Sequence, residues 1–95
     1  MTEVDQQNAV KNGHWYAGGL TPCPVRIVHH HVLFGTHDPE DPAEIAQDVS
    51  TDCFYIRYHP PGAHEHWRDG GVALTLREAV FLAERKLGPG VQWDD

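Results

Sequence analysis

His59, His64 and His66 lie close together in the stretch RYHPPGAHEHWRDGG, residues 57–71, and histidines at such spacing can do metal chemistry. Neutral imidazole is a good ligand for zinc, nickel or copper. If Pro60-Pro61-Gly62-Ala63 forms a tight turn, His59 stands opposite His64 and Arg57 opposite His66. Tyr55 then stands opposite Arg68, and three imidazoles share one face of a hairpin. The competing reading is plainer: histidine, half polar and half aromatic, suits a semi-exposed sheet face, and no carboxylate is clearly placed to orient the rings as at established metal sites. A histidine-based site for zinc or nickel is therefore the alternative function to be carried forward, with no cofactor as the first expectation.

Other chemistries are weaker. Cys23 and Cys53 are the two cysteines; they match no C-x-x-C spacing, and both are expected to be reduced. Cys53 begins its strand, roughly 20 Å from the hairpin histidines at about 3.3 Å per residue, so a thiol nucleophile paired with them is not expected. Gly70 and Gly71 lack the companions of a phosphate-binding loop, and the acids between Gly35 and Asp52 do not follow the calcium-loop pattern. PGAHEHW resembles the H-x-H fragment of the cupin metal motif over three residues. Its glycine stands too close to His64 for that motif, and the chain is too short for the barrel.

The elements that must position these residues are legible from pattern. Residues 1–12 are polar and aperiodic and are expected to form a disordered tail, leaving 13–95 as a single domain. HWYAG (14–18) is expected as a first strand and LTPCP as a proline-rich connection, with Cys23 in a turn. VRIVHHHVLF (25–34) reads as a central strand whose alternation fails at His29–His31; a bulge or burial on both faces accounts for that equally. CFYIRYH pairs with HEHWR, placing Phe54, Ile56 and Tyr58 under a helix. The acidic connection 35–52 carries six acids and no lysine or arginine. It is expected to hold a short helix with Asp41 as cap, Pro42 at its first position, Glu44 completing a capping box and an Ile45–Val49 contact.

Thr75 and Glu78 form a T-x-x-E cap ahead of a helix from about Leu76 to Leu87, stopped by Gly88 and Pro89. At about 100° per residue, Leu76, Ala79, Val80, Ala83 and Leu87 make one apolar stripe, while Phe81 falls on the polar side. Phe81 is therefore expected either to be covered by another segment or to meet a partner; VQW (91–93) is expected to be that cover or a short added strand, and Trp93 is a candidate for the same partner surface as Phe81. The fold expected is α+β: an antiparallel sheet of three to four strands, the C-terminal amphipathic helix packed on one face, and the short helix in the acidic connection.

Ninety-five residues suit one domain. Seven basic against 14 acidic residues give a formal net charge of −7, which opposes binding to a phosphate backbone, so nucleic acid is not an expected partner. No apolar run reaches the length of a membrane span and the start lacks signal-peptide character, so a cytoplasmic, membrane-free protein is expected. The function expected is a small, acidic, soluble accessory or protein-binding module without catalytic activity, its partner another protein or a second copy of the chain.

Overall fold

The computed structural model describes residues 9–62 and 67–94. The chain is α+β: β1 (Ala9–Ala17), β2 (Thr21–Leu33), α1 (Ala43–Ala46), β3 (Val49–Tyr58), β4 (Arg68–Ala73), α2 (Leu76–Leu87) and β5 (Gln92–Trp93). The strands form one antiparallel sheet in the order β4-β3-β2-β1-β5. Five strands exceed the three or four expected, because the short C-terminal segment returns to pair beside β1. That return depends on Gly13: a Cβ there would collide with the backbone carbonyl of Gln92, so only glycine lets β5 come this close.

β1 starts at Ala9, earlier than the expected start near His14, and Ala9–Asn12 pair with β2 through a bulge between Ala9 and Lys11. Ladder bonds to β2 supply for this polar stretch the order that its side chains do not signal. Cys23 is not in a turn. It lies within β2 opposite Trp15 and is buried. Two prolines are tolerated around it because they face the side beyond the end of β3. The Pro24 carbonyl accepts from the His59 amide at 3.0 Å, and the last β2–β3 pair is Val25 with Tyr58. The missing N–H of Pro24, and that of Pro22 two residues away, thus point where no ladder partner is required.

The broken alternation in β2 has both of the expected causes. A register shift falls between His30 and Val32, and the strand is buried on two faces. Val25, Ile27, Ile56, Ala79, Ala83 and Val91 form the main cluster, while Val28, Cys53 and Tyr55 form a second one with Leu33 and Val72. Phe54 and Tyr58 join the cluster that contains the α2 alanines, matching the face assigned to them.

α1 is shorter and less anchored than expected. Pro42 is its N-cap, without a side-chain cap bond, and no residue of the helix is buried. Asp41 accepts instead from the Thr36 hydroxyl at 2.7 Å. Val49 belongs to β3, so no helical Ile45–Val49 contact exists; both side chains are exposed. α2 has the expected limits. Thr75 accepts from the Glu78 amide at 3.1 Å and its hydroxyl donates to the Glu78 carboxylate at 3.3 Å, and Gly88 ends the helix with φ 105°, a value that favours glycine.

The β3–β4 register differs from the expected hairpin. Tyr55 pairs with Val72 rather than Arg68, and Arg57 pairs with Asp69 rather than His66; the ladder ends at Tyr58 with Arg68. Gly70 and Gly71 lie inside β4 beside a register shift at Ile56/Arg57. The ladder's end at Tyr58–Arg68 already lies three residues from the tight-turn register, and the bulge at this pair of glycines adds one more.

Candidate interaction surfaces

An open cleft of about 340 Å³ runs between β4 and α2, lined by Val72, Ala73, Leu74, Glu78, Phe81 and Leu82. Three large apolar side chains around it stay in solvent: Leu74 is 56%, Phe81 59% and Leu82 36% exposed. Their position follows from helical spacing. With Ala79 and Ala83 fully buried, Phe81 is turned about 200° from Ala79, and Leu82 about 60° short of it, which brings Leu82 to one flank of the helix. The Arg85 guanidinium lies 5.7 Å from the centre of the Phe81 ring, within cation–π range.

β4 is the last strand on its side of the sheet. Its edge is blunted, because the Asp69 carboxylate accepts from the Gly71 amide at 2.9 Å and the bulge bends the strand. The cleft therefore offers side chains more than ladder hydrogen bonds. Trp93 is placed elsewhere. It sits in β5 at the opposite edge of the sheet, packed against the main cluster. Its indole donates to Glu84 at 3.1 Å, and Lys11 Nζ lies 5.8 Å from its ring. Trp93 thus meets α2 at Glu84, while Phe81 stays largely exposed.

On the hairpin, His59 is buried, its ring 4.1 Å from that of Trp67. The Arg26 guanidinium lies 4.1 Å from the Trp67 ring, and Arg26 pairs with Arg57 across the ladder. The main chain of His59 is held from two sides: its amide donates to Pro24 and its carbonyl accepts from the Trp15 indole at 3.1 Å. His64 and His66 lie outside the described residues. Among the described residues, no group of three or more His, Cys, Asp or Glu side chains could hold a metal ion. Three other histidines pair singly with acids: His29 with Asp52 at 3.1 Å, His37 with Asp48 at 2.8 Å and His14 with Asp94 at 3.9 Å.

Cys53 does come beside a histidine, though not one of the hairpin. It pairs with His30 in the β2–β3 ladder, and its Sγ is 3.6 Å from the His30 carbonyl and 3.3 Å from that of Val32. Burial is the main cause that pushes its thiol above the usual range, so the side chain is a neutral filler bonded to carbonyls, not an activated nucleophile. Burial likewise raises the phenol of Tyr55, which accepts from the Phe34 amide at 2.9 Å and donates to the Val32 carbonyl at 3.2 Å. Asp48 is shifted the other way, chiefly because it accepts from the Gly35 amide at 2.9 Å.

The apolar stripe of α2 does not by itself single out Leu74 and Leu82 as neighbours of Phe81. The signal was present in the spacing of Glu78, Phe81, Leu82 and Arg85, which recur at three- and four-residue intervals on a second stripe. No helix among the described residues is long and apolar enough to cross a membrane. Comparison with protein-family models, with curated proteins and with solved structures finds no match.

Proposed function

We propose that this chain is a small acidic accessory or protein-binding module, without catalytic activity of its own, in which α2 lies across one face of the sheet and offers the β4–α2 cleft to a protein partner. The reading rests on Leu74, Phe81 and Leu82, three large apolar side chains left in solvent around one cleft. Contiguous exposed apolar surface carries a cost in water that a partner removes, and aromatic side chains are enriched in the centres of such contacts. The net charge of −7 adds a field that speeds encounter with basic proteins.

Replacing Phe81 with serine tests the reading. A 59% exposed side chain contributes little to the core, so the variant is expected to melt within a few degrees of wild type. Proteins captured in stoichiometric amount by the immobilised wild-type chain are expected to be lost, as removal of an interface anchor typically costs about 2 kcal/mol or more. An identical set of captured proteins, at equal recovery, would count against the cleft as the docking surface.

A further inference from the structure

The outer stripe of α2 is complementary to itself, and we infer that the cleft's occupant is a second copy of this chain, docked by antiparallel pairing of α2 with its symmetry mate. The inference rests on reading the cleft as a docking surface and names what fills it.

In a two-fold helix pair centred between Phe81 and Leu82, each residue meets the one equally far on the other side of the centre. Phe81 of one copy then meets Leu82 of the other. Glu78 meets Arg85, and the same pair recurs on the far side of the axis. All four side chains are exposed. Helical geometry supports this pairing: at about 100° per residue, Glu78 and Arg85 both point within about 10° of the bisector between Phe81 and Leu82. Arg77 and Lys86, which the same symmetry would also set opposite each other as like charges, point about 90° away from that bisector on opposite flanks. They lie off the seam.

The bisector points away from the buried alanines by well over 90°, so the seam is open to a second helix rather than occluded by its own sheet. Leu74 and Val72 line the same cleft as Phe81 and Leu82 and extend the apolar contact beyond the helix. Arg85, now over the Phe81 ring, exchanges part of that contact for a carboxylate of its mate. Two short helix faces bury less than the about 1,600 Å² of a standard interface. Both copies also carry −7, so a weak dimer follows, with a dissociation constant in the range of tens of micromolar, about −6 kcal/mol.

Sedimentation velocity on the full chain from about 5 µM to about 1 mM reads the equilibrium directly. Wild type is expected to shift from monomer to dimer over that range. Arg85→Glu and Glu78→Arg should each weaken the dimer about tenfold or more, and the double exchange should return it to within about threefold of wild type. Arg77→Glu changes net charge as much as Arg85→Glu does and should have less than a threefold effect. Because Glu78 also meets the helix cap, circular dichroism and melting accompany each variant; if Glu78→Arg does not fold, the comparison of Arg85→Glu with Arg77→Glu decides. A monomer at about 1 mM, a double exchange no better than its parents, or equal effects of the Arg77 and Arg85 reversals would overturn the inference. If the chain is monomeric yet Phe81→Ser loses its captured partners, only the second copy falls and the docking surface stands. If neither is seen, both fall.

Discussion

Cys53 and Tyr55 stand two residues apart on β3 with His30 against both: Cys53 is its ladder partner, and the Tyr55 ring is 6.0 Å from the imidazole. Both acids are pushed above their ordinary values of 9.0 and 10.0, mainly by burial. A group whose folded-state value is raised holds its proton more tightly in the folded chain. Its contribution is complete below the unfolded value and is lost as pH rises through the folded one. Denaturant unfolding from pH 7 to 11 should therefore lose stability from about pH 9 upward. A Cys53→Ala, Tyr55→Phe double variant should flatten that limb while starting from a lower plateau, since Tyr55 also gives up hydrogen bonds to Phe34 and Val32. A limb equally steep in the double variant would mean that other groups govern it. Asp48 has the opposite sign. Its lowered value stabilises the folded loop above about 3.8 and loses that effect as pH falls through the folded value.

At the scale of elements, α2 contributes small residues to the buried core. Ala79 and Ala83 are both fully buried in the cluster with Val25, Ile27 and Ile56, and a side chain no larger than a methyl lets a helix approach a sheet closely. Ala83→Leu inserts three carbons where there is no room, and overpacking of this kind typically costs about 1–3 kcal/mol. In urea, its unfolding midpoint should fall while the slope stays constant. A midpoint equal to wild type would mean that the helix can lift without loss, contrary to its place in the core. β2 keeps two prolines in a 13-residue strand near its start, beyond the last β2–β3 ladder pair, Val25 with Tyr58.

For the molecule as a whole, acidity dominates. Fourteen acids against seven bases leave −7 with histidine neutral. Protonating all eight histidines would take that charge through zero to +1 over the range in which imidazoles titrate. Solubility in low salt should accordingly pass through a minimum near about pH 5.5 to 6, where repulsion between molecules is least. Turbidity and residual concentration between pH 4.5 and 8 check this, and a flat profile would show that charge does not limit solubility. The same loss of repulsion should tighten the proposed α2 pairing as pH falls from 8 toward 6.

The limits of α2 were readable from the chain alone because a helix cap, a 3.6-residue repeat and a terminating glycine are local signals acting within a few residues. The assignment of Phe54, Ile56 and Tyr58 to one face of β3 was readable for the same reason: alternation is a property of the strand itself. Register is different. The expected pairing of Tyr55 with Arg68 assumed a tight turn, whereas the ladder ends at Tyr58 with Arg68 and the bulge adds one more residue of shift, which sets Tyr55 opposite Val72, a choice made by contacts across the sheet that no single strand encodes. The fifth strand and the burial of Cys23 within β2 are likewise non-local. Each depends on which segment returns to which edge, and the free energy that decides it comes from burying side chains far apart in sequence. The outer stripe of α2 sits between these cases, since its spacing is written in the chain, but only the tertiary structure leaves it uncovered.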